Sequence, residues 1–203
     1  MPLMVEDTGG GMDFTPVPQG THLAVCDMVV DLGQQETTYM GEKKIVHQVF
    51  IRWELPHERL EYEKDGQRYN LPMIISKTYT ASLSEKANLR KDLEAWRGRA
   101  FTEEELKGFD VFNILGACCQ VTVTHKDSNG KTYANVASVA GWPKGMERIT
   151  AENPLLKYSA DETGDFDKLP EWLQTRITSQ IIDDQVPTHH DQAPPPLDDD
   201  IPF

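Results

Sequence analysis

Residues 84–98 read SEKANLRKDLEAWRG, and they predict a helix between two groups of strands, the feature that best separates the candidate folds. Its apolar residues recur at helical spacing, which places them on one face: Ala87, Leu89, Leu93 and Trp96. Ser84 can cap the first turn, and Gly98 can end the last one. We therefore predict an α-helix near the middle of the chain.

Three strands are predicted before this helix. Residues 21–32 (THLAVCDMVVDL) are rich in β-branched and apolar side chains and end at Gly33. Residues 45–55 (IVHQVFIRWEL) alternate between two sets of side chains, and Pro56 is expected to end that strand. A shorter strand over residues 69–76 completes the group.

The segments that join these strands are polar or charged. We expect residues 33–44 to form a loop and residues 57–68 to form a hairpin tip. Asp65-Gly66 lies within this tip, and Asp-Gly favours a tight turn between antiparallel strands.

Two strands are predicted after the helix, over residues 117–126 and 131–140, and Ser128-Asn129-Gly130 joins them. Asn-Gly between alternating segments is a strong hairpin signal. A short helix over residues 102–107 precedes these strands, where Thr102 and Glu105 fit a capping box. A last helix is predicted to pack on the body through one apolar face: Leu169, Trp172, Leu173, Ile177 and Ile181.

The resulting order is three strands, a helix and two strands. This order is typical of the OB-fold, a five-stranded Greek-key barrel with a helix between strands three and four. A β-sandwich would need about seven strands, and a doubly wound fold would need strands and helices to alternate throughout. We therefore expect a mainly β protein with an OB-fold barrel and an additional C-terminal helix.

The chain is acidic, but its charge is unevenly distributed. Its 203 residues carry a net charge of −13. Residues 1–157 hold 18 Lys and Arg against 22 Asp and Glu, whereas residues 158–203 hold 2 against 11. A nucleic-acid site in such a body requires basic residues that cluster on one face.

Composition divides the chain into three parts. Residues 1–19 contain Gly9-Gly10-Gly11 and are expected to form a flexible arm. Residues 20–182 form the predicted folded domain. Residues 183–203 are rich in Pro, Gln and Asp, a composition that cannot bury a core, so we expect a disordered acidic tail.

The tail ends in an acidic run followed by two apolar side chains: Asp198, Asp199, Asp200, Ile201, Pro202 and Phe203. Phe203 can fill an apolar pocket while a basic rim takes the carboxylates. This tip resembles that of bacterial SSB proteins, the single-stranded DNA-binding proteins that end in an acidic run plus Ile-Pro-Phe. The resemblance implies that the tip binds replication, recombination and repair proteins.

Three segments of the body resemble SSB-like proteins encoded by tailed phages: Trp53 to Pro56, Ile75 to Thr80, and Trp96 to Gly116. The resemblance implies sequence-nonspecific binding of single-stranded DNA in phage replication or recombination, in the cytoplasm of a bacterial host. The extra C-terminal helix departs from the bacterial pattern, so the bacterial homotetramer is not carried over. A homo-oligomer remains an option.

Such binding needs aromatic rings for bases and cations for phosphates. Alternation places Phe50 and Arg52 together on one side of the second strand and Trp53 in the core. We predict ten DNA-binding residues from these strands and the loops beside them: Tyr39, Lys43, Lys44, Phe50, Arg52, Lys77, Tyr79, Lys126, Lys131 and Tyr133. For Phe50, the alternative is packing beneath a neighbouring loop.

Other functions stay open at this point. We predict no enzyme, cofactor or metal site, since the sequence lacks a Walker loop, G-x-S-x-G and H-E-x-x-H. His189-His190 lies in the tail and is expected to be solvated. Three cysteines without C-x-x-C spacing are expected to be reduced, and no signal peptide or membrane segment is found. The alternatives are a nuclease, a decoy that occupies SSB partners without binding DNA, and a strand-annealing protein.

Overall fold

A computed structural model describes residues 15–39, 41–160 and 164–181, apart from the side chain of Tyr39. In this part of the chain, six strands form one sheet: β1 Gly20–Tyr39, β2 Glu42–Lys64, β3 Gln67–Thr80, β4 Cys118–Ser128, β5 Lys131–Ala140 and β6 Leu156–Tyr158. Three α-helices accompany them: α1 Asn88–Arg97, α2 Glu103–Lys107 and α3 Glu171–Thr178. None of the described helices has the length and apolar character needed to cross a membrane.

The sheet is a curled antiparallel half-barrel with the strand order β3-β2-β1-β4-β5. β6 adds to β1 in parallel, where Leu156 pairs with Met28. Cα atoms of β3 and β5 come within 8 Å of each other, although no hydrogen-bonded ladder joins these two strands among the described residues. The predicted mainly β class is therefore confirmed, and α1 lies between β3 and β4 as expected.

The inner core lies between the sheet and α1. The helix contributes Leu89, Leu93 and Trp96, which are all buried. Trp53 of β2 is 1% exposed, and its ring centroid lies 6.0 Å from that of Trp96. The predicted core position of Trp53 is confirmed. Val17 is also buried in this core, so the packed body begins before residue 20.

A second core covers the outer face of β1 and β2. It is formed by residues from these strands, from β6 and from the segment around α3: Met28, Val30, Leu32, Phe50, Leu156, Leu169, Leu173 and Ile177. The sequence predicted that the last helix packs on the body, and this is confirmed. The prediction that Trp172 belongs to the buried apolar face of this helix was wrong, because Trp172 is 53% exposed.

Buried polar groups fasten the chain before β6 to the same outer face. The fully buried carboxylate of Glu54 accepts hydrogen bonds from the backbone N–H groups of Glu152 and Asn153, both at 2.7 Å. Arg52 binds Asp27, with Nη2 to Oδ2 at 2.8 Å and Nε to Oδ1 at 3.0 Å. Arg52 and Glu54 of β2 are therefore occupied within the protein.

The β1–β2 hairpin is longer than the sequence predicted. Residues 33–39 and 42–44 were expected to be a loop, but they are paired up to Tyr39 and Glu42. Two-stranded pairing needs only backbone N–H and C=O groups, so polar side chains do not prevent it. Pro56 does not end β2, because the register shifts between Leu55 and Arg59 and a bulge needs no N–H there.

Most predicted turns and helix ends are confirmed. Asp65-Gly66 and Asn129-Gly130 both have positive φ at each residue, as tight hairpin turns require. Thr102 and Glu105 form the predicted capping box of α2. The predicted cap at Ser84 was wrong, since α1 begins one turn later, after Ala87.

Helix α3 ends against a bulge in β1. Gln35 Nε2 donates to the carbonyl oxygens of Leu32 and Arg176, and the Ile181 N–H donates to Gln34. Gly33 has a φ of 65° and leaves room for the Gln180 side chain. These contacts position the last turn of α3 beside the β1–β2 hairpin.

Replacing Gly33 by alanine is expected to lower the free energy of unfolding by about 1–2 kcal/mol, because left-handed backbone costs about that much for a residue with a Cβ. The added Cβ would also lie 1.7 Å from Gln180 Oε1, which must then move. Gly66→Ala is the matched control, since Gly66 has a φ of 75° and nothing within 4 Å of an added Cβ. Urea denaturation should find Gly33→Ala the less stable of the two. Equal losses of stability in the two variants would contradict the close approach of Gln180, just after α3, to Gly33.

Candidate nucleic-acid interface

A groove of about 300 Å³ opens where the β1–β2 hairpin, the end of β3, the loop before α1 and helix α3 meet. Hydroxyl and amide side chains supply most of its polar lining: Thr37, Gln48, Thr78, Thr80, Ser82, Ser84 and Asn88. Thr78 and Thr80 pair with Phe50 and Gln48 of β2, so they lie on the outer face of the sheet.

The lining of the groove contains no carboxylate. It contains four cations: Lys44, Lys77, Lys86 and Arg176. This local excess of positive charge stands out in a chain with a net charge of −13. A concave surface lined by one sign of charge raises the local concentration of oppositely charged ligands. The arrangement therefore favours an extended or multivalent anion.

Lys77 and Tyr79 are held at one end of the groove by Asp92 of α1. Lys77 Nζ lies 2.9 Å from Asp92 Oδ2, and the Tyr79 hydroxyl donates to the same oxygen at 2.8 Å. Burial, followed by the nearby charge of Asp92, raises the pKa of Tyr79 far above its ordinary value. Tyr79 is 3% exposed, so its ring is not open for a base to stack on.

Lys86 and Arg176 have no carboxylate partner among the described residues. Lys86 is exposed in the loop before α1. Arg176 is half-buried, and its Nη2 donates to Gln48 Oε1 at 2.7 Å. A guanidinium has five N–H donors, so this single bond leaves others for a phosphate oxygen. These two residues are the strongest phosphate-binding candidates in the groove.

The predicted exposure of Phe50 and Arg52 was wrong. Phe50 is 3% exposed and lies under α3, with its ring centroid 5.4 Å from that of Trp172. Arg52 is paired with Asp27. Burial raises the pKa of the Asp27 carboxyl, and the hydrogen bond and charge of Arg52 offset only part of that rise. Alternation identified the correct face of β2, but α3 covers Phe50 there and Asp27 occupies Arg52.

The β1–β2 hairpin contributes one of its three predicted residues to the groove. Lys44 lines it, and its Nζ lies 4.0 Å from Glu42. Lys43 is exposed outside the groove and paired with Glu36 at 2.9 Å, and this bond raises the pKa of Lys43. Tyr39 ends β1, and its side chain lies outside the described residues.

The other three predicted residues share the β4–β5 hairpin. Lys126 and Tyr133 are directly opposite each other on the two strands, and Lys131 follows the turn. All three are exposed, and Tyr133 is 49% exposed. The first residues of β1 pair with β4, and the last residues of β1 pair with the start of β2. The β4–β5 hairpin and the groove therefore lie at opposite ends of β1.

Sequence reasoning missed Lys86 and Arg176. No local signal marks Lys86, which lies in the loop before α1. Arg97 and Arg99 both bind Glu105, and Arg90 binds Glu94, so these arginines are occupied by ion pairs. Arg176 could have been noticed as the one Arg or Lys within the predicted last helix.

The described residues contain no group of three or more His, Cys, Asp and Glu side chains arranged to hold a metal ion. The predicted partner-binding residues Asp198 to Phe203 lie outside the described ranges. Comparison with protein-family models, curated proteins and solved structures finds no match to this chain.

Proposed function

We propose that this chain is a single-stranded DNA-binding protein, of the kind used in phage replication or recombination. The observation that carries the proposal is the groove, whose lining holds four cations and no carboxylate, with Lys86 and Arg176 outside any ion pair of the described residues. Phosphates supply the repeated negative charge that such a groove favours. The hydroxyl and amide groups between the cations can bind phosphate and sugar oxygens as well.

The proposed barrel is an OB-fold. The ladders β1–β2, β2–β3, β1–β4 and β4–β5 agree with a five-stranded Greek-key barrel, and α1 lies between β3 and β4. The approach of β3 to β5 without a ladder fits a partly open barrel. OB-folds bind nucleic acid on their second and third strands and neighbouring loops. Gln48, Thr78 and Thr80 of the groove lie on those two strands, together with the cations Lys44 and Lys77.

The proposed binding is independent of sequence. Contacts to phosphate and sugar carry no base information directly. The groove cations therefore hold any single strand, and the protein protects exposed DNA in a bacterial host. The exposed Lys126, Lys131 and Tyr133 offer a second place for phosphates and one stacked base.

We propose that the tip from Asp198 to Phe203 recruits replication, recombination or repair proteins. Residues 182–203 contain six aspartates and neither Lys nor Arg. Because the tip and the body belong to one chain, DNA bound by the body keeps the tip nearby at raised effective concentration.

Deleting residues 198–203 is expected to leave affinity for single-stranded DNA unchanged or to raise it, because three aspartates would no longer compete with phosphates for the same cations. Fluorescence anisotropy of labelled oligo(dT) measures this for the full and shortened chains. A variant with Asp198, Asp199 and Asp200 changed to Asn separates charge from length. A large loss of affinity on deletion would contradict the separate roles of body and tip.

The proposal is tested by titrating labelled oligo(dT) with the full chain at moderate salt. We expect binding at micromolar protein or below, little competition from duplex DNA, and no cleavage of the oligonucleotide on adding divalent metal. Metal-dependent cleavage would instead identify a nuclease. Absence of binding would favour the decoy, and faster pairing of complementary strands would identify an annealing protein.

A further inference from the structure

We infer that Trp172 on α3 is a base-stacking residue that extends the cationic groove. This inference rests on the proposed binding of single-stranded DNA and names a residue that supplies ring stacking. The groove otherwise lacks an open aromatic face among its described residues, because Tyr79 is buried against Asp92.

Two contacts place Trp172 in line with the groove. Arg176, one helical turn later on the same face of α3, binds Gln48, and Trp172 packs against Phe50 with the two rings nearly perpendicular. Gln48 and Phe50 are two residues apart on β2, so they lie on the same side of the sheet. Helix α3 therefore runs antiparallel to β2, with Arg176 at the groove and Trp172 next along the wall.

The floor beside Trp172 is the outer face of β3. Thr78 is the cross-strand partner of Phe50, and Ser76 follows on the same side as the partner of Arg52. Ser76 and Ile74 are exposed, so β3 leaves an open path along α3. A single strand held at Arg176 and Lys86 can continue along this path past the indole.

The exposure of Trp172 is unusual for its chemistry. It is 53% exposed, whereas Trp53 and Trp96 are 1% and 8% exposed. The contact with Phe50 has an interplanar angle of 79°, so the two rings meet edge to face and are not stacked in parallel. A half-exposed aromatic side chain next to cations meets both requirements of single-strand binding.

The test uses the full chain with three substitutions, and folding of each is checked by thermal melting. Trp172→Leu keeps apolar packing on Phe50 but removes the aromatic face, so affinity for oligo(dT) should fall about 10-fold, as for a lost base-stacking ring. Trp172→Phe keeps a ring, so affinity should stay within a few-fold of wild type. The matched control Trp142→Phe removes a half-buried indole that does not line the groove.

Tryptophan fluorescence separates stacking from a structural role. Oligo(dT) should quench the emission of the wild type and of Trp142→Phe, and the quench should be largely lost in Trp172→Phe although binding persists. If wild type binds oligo(dT) while Trp172→Phe keeps the quench and Trp172→Leu keeps full affinity, the role of Trp172 is overturned and the proposed function stands. If wild type does not bind, the proposed function itself fails.

Discussion

Replacing Lys86 and Arg176 together by glutamine is expected to lower the affinity for oligo(dT) about 10- to 30-fold at moderate salt, or about 1.4–2 kcal/mol. Each solvent-exposed charge contact is worth up to about 1 kcal/mol. Both cations line the groove, and neither has a carboxylate partner in the described part of the chain. Glutamine retains much of the length and polarity of both side chains. Fluorescence anisotropy of labelled oligo(dT) measures the change.

The matched control is Lys107→Gln with Lys144→Gln. Both lysines are exposed, and neither lines the groove, so the control changes the net charge by the same amount elsewhere on the surface. Its affinity should stay within about twofold of wild type, because distant exposed charges are screened by salt. Equal losses in both double variants would show that binding follows net charge and not the groove.

Replacing Arg52 by methionine is expected to lower the free energy of unfolding by about 3–5 kcal/mol, because it leaves a buried carboxylate without its ionic partner. Asp27 is 0% exposed, and Arg52 binds it through two nitrogens. Methionine keeps the unbranched stem and removes the charge. Urea denaturation at neutral pH measures the loss.

The loss in Arg52→Met should shrink as the pH falls. Burial already raises the pKa of Asp27, and the Arg52 hydrogen bond and charge oppose that rise. Without Arg52 the folded-state pKa moves further above the unfolded value, so the folded state binds more protons and gains stability toward acidic pH. A loss of stability that does not depend on pH would contradict this role of the ion pair. A folded Arg52→Met variant with full stability but weakened DNA binding would show that Arg52 belongs to the DNA-binding face.

Features set by a few neighbouring residues could be predicted from the sequence. Asp65-Gly66 and Asn129-Gly130 specify tight turns through their positive φ, and Thr102 with Glu105 specifies a helix start through two local hydrogen bonds. The succession of strands and helices along the chain follows from such local signals. Pairing of residues 33–39 could not be predicted in this way, because a ladder depends on backbone groups that polar side chains do not reveal.

The site depends on contacts between distant residues. Gln48 and Phe50 lie on the same face of β2, as the alternation predicts. Whether they are exposed depends on α3, which follows more than 120 positions later. The sequence assigns a face to each side chain and does not say what covers that face. Trp172 shows the same limit, since helical spacing placed it with Leu173 and Ile177, while packing on Phe50 leaves its indole half exposed.

The salt dependence of oligo(dT) binding tests the groove most directly. The logarithm of the wild-type association constant should fall linearly with the logarithm of salt concentration, since phosphate contacts release counterions. In Lys86→Gln/Arg176→Gln the slope should be shallower by about 1.4, at about 0.7 for each contact with a single strand. An unchanged slope in that variant, or no binding by wild type at low salt, would contradict the account.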